Sequence, residues 1–63
     1  MKSNLKEMRV TQQWDQESFA QQVGISVSHL SLIENEKRTP SLDVALRIAD
    51  ELGLCVGEIW WSE

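Results

Sequence analysis

The 63-residue sequence contains a single cysteine, a single histidine, one proline and no tyrosine. Cys55 alone cannot form an internal disulfide, and with only His29 to join it the chain lacks the ligands of a recognisable zinc site. The same scarcity leaves no paired Cys/His arrangement of the kind used in nucleophilic catalysis. We therefore expect no metal, no cofactor, no catalytic residues and no enzymatic activity.

Long apolar runs are also lacking. No stretch approaches the roughly 18 residues that a membrane-spanning helix requires, and the sequence does not begin with the apolar segment of a signal peptide. A chain of this length has room for one small domain, which we place at residues 1–63. Without a disulfide, aliphatic side chains and the three tryptophans must supply its core. We expect a cytoplasmic protein that makes no membrane contact.

Basic residues are few, since six Lys and Arg against ten Asp and Glu give a net charge of −4. Nucleic-acid-binding proteins usually carry a basic surface, so this balance argues against such a function. The charge is unevenly distributed, however: residues 1–40 hold five basic and five acidic side chains, whereas residues 41–63 hold one and five. The acidic third is either a solvated face or a face held away from a polyanion or used for a partner, and DNA binding is not excluded.

Proline and glycine are scarce, and apolar residues recur three and four positions apart through most of the chain. Together these two features predict an all-α fold. Capping residues and glycines divide this pattern into five helices. The first helix is predicted to run from a Ser3 cap to about Trp14, and the second from Gln16 to Val23 after an Asp15 cap. The third runs from a Ser26 cap to near Asn35. The fourth opens with Pro40 and Ser41 and is closed by Gly53, and the fifth runs from Val56 to Trp61.

The fourth helix is predicted to be the central core helix. Its apolar residues define a broad face that should pack against the other helices. The polar loop before it spans residues 36–39. Cys55 is a poor cap for the last helix, so only the Glu58 half of a capping box is present there. The predicted apolar face of the fourth helix consists of Leu42, Ala45, Leu46, Ile48, Ala49 and Leu52.

The connection between the second and third helices consists only of Gly24, Ile25 and Ser26. So short a connection containing glycine sets two helices at a steep angle, which is the geometry of a helix-turn-helix. An ordinary helical corner is the alternative. The helix-turn-helix is predicted at about residues 16–35, with Ala20 small at the helix contact and with Phe19, Val23, Ile25, Leu30 and Ile33 facing inward.

The segment SVSHLSLIENEKRTPSL, from Ser26 to Leu42, resembles the lambda-repressor-like (Cro/cI, Xre-type) helix-turn-helix family. The resemblance extends over nearly the whole chain and implies a compact five-helix DNA-binding domain. Arg9 and Glu34 match positions where family members pair the first helix with the end of the recognition helix, so a structural salt bridge is expected. Four residues depart from the pattern. Glu36 replaces a common glycine, Cys55 replaces a common serine cap, and Val27 and Leu32 stand where many relatives carry Gln, Arg or Lys to read bases.

The exposed face of the predicted recognition helix, about residues 27–35, carries the candidate base-reading residues Val27, Ser28, Ser31 and Leu32. A serine hydroxyl can bond to several base edges, and valine or leucine can contact a thymine methyl group, but none makes a bidentate contact. Packing against neighbours, or a patch for a protein partner, is the alternative for Val27 and Leu32.

The candidate phosphate-binding residues surround that helix. Two of them lie at helix N-termini, where free N–H groups and the helix dipole favour anions, and two are cations that directly follow the recognition helix. For those two cations, a solvated loop is the alternative. The predicted set is Gln16, Ser26, His29, Asn35, Lys37 and Arg38. Of these, Gln16 also resembles the family residue that opens the second helix and meets a phosphate.

The tryptophans are assigned different positions. Trp14 precedes the cap of the second helix and is predicted to pack on the core, which Trp60 closes from the last helix. On a helix Trp61 points about 100° away from Trp60, so it is expected to be exposed. The family resemblance implies that this residue lies in a dimer interface. A lone surface tryptophan, or contact with a further domain, is the alternative.

These features lead to one hypothesis and one alternative. The hypothesis is a transcriptional regulator, a repressor, that binds a pseudo-palindromic double-stranded DNA operator as a homodimer. The alternative is a protein-interaction module of the same fold, such as an antitoxin or antirepressor partner, which uses Val27, Leu32 and the acidic C-terminal face.

Overall fold

The computed structural model describes all 63 residues and has overall extents of 29 × 21 × 19 Å. No helix in it combines the length and apolar character needed to cross a membrane. The prediction of a mainly helical fold with five helices is confirmed. In chain order the elements are β1 (Lys2–Ser3), α1 (Leu5–Thr11), α2 (Gln16–Val23), α3 (Val27–Glu34), α4 (Leu42–Leu52), α5 (Val56–Ile59) and β2 (Trp60–Trp61).

One apolar core holds these elements together. Every helix contributes to it, and α4 contributes more residues than any other element, as expected for a central helix. The side chains of Met8, Trp14, Ile25, Leu54 and Val56 cover its edges. The buried members are Leu5, Phe19, Ala20, Val23, Leu30, Ile33, Val44, Ala45, Ile48, Ala49, Leu52, Ile59 and Trp60.

The caps predicted for three helices are present. The side chains of Asp15, Ser26 and Ser41 each accept a hydrogen bond from the backbone N–H three residues further on, at 2.7 to 3.3 Å. The bond from the Ser18 backbone N–H, followed by the bond from the Ser18 hydroxyl, lowers the pKa of Asp15 below its usual 3.8. The Asp15 cap is therefore ionised at neutral pH, where its charge complements the N-terminus of α2.

The predicted limits of the first helix were wrong at both ends. α1 begins at Leu5, after an Asn4 cap that makes no side-chain capping bond, and the proposed cap Ser3 lies in β1. At the other end α1 stops at Thr11 instead of reaching Trp14. Gln13 adopts the left-handed conformation, with φ of 64°, which breaks the helical path.

The predicted helix from Val56 to Trp61 was also wrong in its second half. α5 ends at Ile59, and the two following tryptophans form β2, which pairs antiparallel with β1. The Asn4 backbone N–H donates to the Ile59 carbonyl at 3.0 Å, so the N-terminal segment satisfies backbone groups that a longer helix would have used. Trp60 is buried and Trp61 exposed, as predicted, but the reason is strand alternation and not a helical step.

The predicted apolar face of α4 was too broad. Leu42 and Leu46, one helical turn apart, are exposed, and Leu42 keeps 73% of its surface in solvent. Val44, outside the predicted face, is buried instead. The buried stripe is centred on Ala45, Ile48 and Leu52, and no neighbouring element extends far enough around α4 to cover the Leu42–Leu46 edge.

Candidate nucleic-acid interface

The turn between α2 and α3 depends on a left-handed glycine. Gly24 has φ of 82°, and its backbone N–H and that of Ile25 both donate to the Ala20 carbonyl, at 2.9 and 3.0 Å. A Cβ at Gly24 would lie 2.9 Å from a guanidinium nitrogen of Arg47. The left-handed conformation favours glycine here, whereas the Arg47 guanidinium is the movable end of a flexible side chain. Only three residues separate α2 from α3, the short connection of a helix-turn-helix.

Arg47 of α4 contacts this turn at the end of α2, a role that could not be predicted from the sequence. Its Nη1 donates to the Val23 carbonyl at the end of α2, at 2.9 Å, and its Nη2 pairs with Asp43 at 2.9 Å. The only signal in the sequence is the spacing of four between Asp43 and Arg47, which indicates a helical ion pair. The contact with Val23 joins residues far apart in the chain and leaves no local pattern.

A buried ionic cluster fixes α3 relative to α1 and α2. Arg9 Nε donates to Glu34 Oε2, and the two side chains are 7% and 1% exposed. Arg9 Nη1 donates to the Trp14 carbonyl at 2.6 Å, and Gln16 Nε2 donates to Glu34 Oε1 at 3.0 Å. The salt bridge expected between Arg9 and Glu34 is thus present, and it extends to the start of α2.

The outward face of α3 contains the candidate base-reading residues. Val27, Ser28 and Leu32 are exposed and Ser31 is half-buried, whereas the opposite face of the helix is covered by the core. Ser31 also accepts a hydrogen bond from the Asn35 amide, at 3.3 Å to its hydroxyl. All four residues therefore lie on one accessible surface of the second helix of the helix-turn-helix.

The candidate phosphate-binding residues are in different states. Lys37 and Arg38 are exposed and form no ion pair. The Asn35 amide nitrogen donates to the Ser31 carbonyl at 2.9 Å. The Ser26 hydroxyl accepts a hydrogen bond from the backbone N–H of His29, which is a half-buried residue. The Gln16 amide nitrogen is engaged by Glu34, as described above. Phosphate binding by each of the six remains a prediction, and the cations Lys37 and Arg38 are the most accessible for it.

The loop that carries these two cations is anchored to the start of the chain. Glu36 adopts the left-handed conformation with φ of 61°, a conformation that favours glycine, the residue common at this position in the family. Its carboxylate accepts a hydrogen bond of 2.7 Å from the Ser3 backbone N–H in β1. In the sequence Glu36 is only a departure from the family pattern, whereas the structure shows that its side chain anchors this loop to β1.

Comparison with known proteins agrees with this geometry. The family model described as helix-turn-helix matches residues 5–58, which cover all five helices except Ile59. The chain belongs to the Cro/cI-like helix-turn-helix family. Members of this family bind DNA as transcriptional regulators, so the chain is a DNA-binding protein of the helix-turn-helix type. The family is one of regulators and not of enzymes.

Three relatives illustrate the extent of the similarity within the helix-turn-helix family. The uncharacterized HTH-type transcriptional regulator YgzD of Bacillus subtilis is 30% identical over 63 residues, which cover 100% of this chain and 96% of YgzD. The propionyl-CoA carboxylase regulator of Cereibacter sphaeroides is 36% identical over 61 residues, but this chain spans only 13% of that protein. The crystal structure of the hypothetical transcription factor NHTF from Neisseria has a TM-score of 0.79 at 27% identity, covering 87% of this chain and 62% of NHTF.

Proposed function

We propose that this protein is a sequence-specific transcriptional regulator, a repressor, that binds a pseudo-palindromic operator in the cytoplasm as a homodimer. The observation that carries the proposal is the uncovered face of α3, flanked by the unpaired cations Lys37 and Arg38. In this arrangement α3 occupies the major groove and residues 1–63 act as one DNA-binding domain. Base contacts come from Val27, Ser28, Ser31 and Leu32, and phosphate contacts from Gln16, Ser26, His29, Asn35, Lys37 and Arg38.

The low positive charge is compatible with this function because of where the charges lie. Glu34, the only acidic residue of α3, is buried and paired with Arg9, so it does not face a phosphate backbone. The N-terminus of α3, which is capped by the neutral Ser26, adds anion affinity without formal charge, whereas the N-terminus of α2 already holds the Asp15 carboxylate. Two cations per protomer contribute modestly to DNA affinity. In a dimer, binding of one protomer raises the effective concentration of the other at its half-site, which strengthens binding to the whole operator.

We expect Arg38→Ala to weaken binding to all duplexes by a similar factor. Each lost phosphate contact should reduce the slope of log affinity against log salt by about 0.9, because fewer counterions are released. Affinity titrations by fluorescence anisotropy at several salt concentrations measure that slope. Lys6→Ala is the matched control, since it removes an equal charge from an exposed, unpaired lysine of α1 outside the proposed interface. Equal slopes for Arg38→Ala and the parent protein would refute the phosphate contact.

We assign the dimer interface to Trp61, which is 45% exposed on the outward side of β2. A large aromatic side chain at a two-fold interface is buried twice, so Trp61→Ala should cost on the order of 1–3 kcal/mol per side. Sedimentation equilibrium over a range of concentrations should show weaker dimerisation, and DNA affinity should fall with it. Monomer unfolding should change little, since Trp60 and not Trp61 faces the core.

Leu42→Ala is the informative comparison for the dimer. Leu42 lines a separate apolar groove of about 320 Å³, together with Met1, Pro40, Ala45, Val56 and Trp60. A monomer–dimer equilibrium that is unaltered in Trp61→Ala but weakened in Leu42→Ala would move the interface to this groove and reject the assignment of Trp61.

A protein-interaction module, such as an antitoxin or antirepressor partner, is the second candidate function. One observation favours it: two apolar side chains, Val27 and Leu32, lie on the exposed face of α3. Salt-sensitive binding to double-stranded DNA by the chain separates the two functions, because a protein-interaction module does not need to bind DNA.

A further inference from the structure

The outward face of α3 contains no side chain that could form two hydrogen bonds to one base. Arginine and lysine suit guanine, and asparagine and glutamine suit adenine, because each matches the donor and acceptor pattern of that base in the major groove. α3 has the sequence VSHLSLIE, which includes none of these four residue types. The nearest amide, that of Asn35, donates to the carbonyl and hydroxyl oxygens of Ser31. Recognition by paired hydrogen bonds is therefore absent from this helix.

Apolar side chains occupy two places on the same face. Val27 is 40% exposed and Leu32 is 43% exposed. Residues four apart are neighbours on a helix, so Val27 forms a row with Ser31, and Ser28 forms a second row with Leu32. The apolar residue comes first in one row and last in the other. Val27 and Leu32 therefore lie at different levels along α3 and can meet different base pairs.

We propose that Val27 and Leu32 recognise thymine through its C5-methyl group, so that each of them specifies one thymine position in every operator half-site. This inference rests on the proposed function. Thymine is the base that presents a methyl group in the major groove, and apolar side chains are its matching contact. Beside guanine or cytosine the same side chains displace water from polar base edges without replacing its hydrogen bonds, which is unfavourable. A serine hydroxyl can donate a hydrogen bond to, or accept one from, several base edges, so the two serines discriminate little between bases.

The test removes the methyl group and nothing else. The probe is a duplex that the full chain selects from random-sequence DNA, resynthesised with 2′-deoxyuridine in place of each thymine in turn. Each contacted methyl should be worth roughly fourfold in affinity, corresponding to the ~0.8 kcal/mol gained on burying one such carbon. The salt dependence should not change, because no phosphate contact is altered. Replacing a contacted thymine by cytosine should also weaken binding, and 5-methylcytosine at that position should restore part of the loss.

Variants of the protein assign each methyl to a side chain. Leu32→Ala should lose sensitivity to deoxyuridine at one position per half-site, and Val27→Ala should lose it at another. Val10→Ala is the matched control, since it makes the same valine-to-alanine change at an exposed position of α1 outside the proposed interface, and it should keep both sensitivities. Both apolar residues are exposed, so circular dichroism should show that the variants fold like the parent.

The outcomes separate this inference from the proposed function. Salt-sensitive binding with equal affinity for thymine and deoxyuridine duplexes overturns methyl recognition and leaves DNA binding intact. Methyl sensitivity that persists in both Val27→Ala and Leu32→Ala also overturns the assignment. Failure to bind any duplex in a salt-sensitive manner overturns the proposed function as well. That result would indicate that the apolar face of α3 binds a protein partner.

Discussion

Replacing Arg9 by methionine is expected to destabilise the protein by about 3–5 kcal/mol, because it leaves the Glu34 carboxylate buried without its cation. The Trp14 carbonyl also loses its donor. A chain of 63 residues has a core that rarely supplies more than about 3–5 kcal/mol, so most molecules should be unfolded at room temperature. Urea or thermal unfolding followed by circular dichroism measures the effect, and Arg38→Met is the exposed control.

The double variant Arg9→Met/Glu34→Leu tests the cause of that loss. If the destabilisation comes from an uncompensated buried charge, removing the carboxylate as well should recover a large part of it. Replacement of a buried pair by apolar residues of similar volume is often neutral, whereas removal of one partner is not. A double variant as unstable as Arg9→Met would show that the guanidinium's contact with Trp14, and not its pairing with Glu34, carries the stability.

Phe19→Ala is expected to cost about 3–5 kcal/mol, the range for truncating a large aromatic residue in a closed core. Phe19 is fully buried, and its ring meets that of Trp14 edge-on with centroids 5.6 Å apart. The change therefore leaves a cavity beneath α2 and removes the partner of Trp14. Phe19→Leu should cost clearly less, since most of the volume is kept.

The readout for Phe19→Ala is the folded fraction without denaturant, because a loss of this size approaches the whole stability of so small a core, and the readout for Phe19→Leu is the urea midpoint. Val10→Ala is the control because Val10 is an exposed apolar residue of α1. Fluorescence should report the same event, since Trp14 loses its aromatic neighbour and becomes more solvated. Equal urea midpoints for Phe19→Ala and Val10→Ala would contradict the placement of Phe19 at the centre of the core.

Local chemistry made the helix-turn-helix predictable. Asp15, Ser26 and Ser41 are strong N-caps, and Gly24 and Gly53 take the left-handed conformation at C-caps, so the starts and ends of α2 and α4 and the start of α3 follow from residues within one helical turn. The inward face of α2 and α3 follows from the same short-range spacing.

Long-range contacts decided what could not be predicted. Trp60 and Trp61 leave the helical path because β1, from the other end of the chain, offers them backbone partners. Leu42 and Leu46 look like core residues by periodicity, but exposure depends on how far the neighbouring helices reach. The contacts of Arg47 with Val23 and of Glu36 with Ser3 likewise join distant segments. A period of three or four residues contains no information about such pairs.

The two-stranded ribbon of β1 and β2 has a consequence for how the molecule opens. Its two strands have two residues each and come from the first and last elements in chain order, so we expect it to open more easily than the helices that pack around the core. Because the Ser3 backbone N–H holds Glu36, fraying of the ribbon also removes one anchor of the loop of Lys37 and Arg38, whose backbone keeps its hydrogen bonds to Leu32. The ribbon and the loop are therefore coupled through Glu36, and a ligand that immobilises the loop should slow hydrogen exchange of the Ser3 amide.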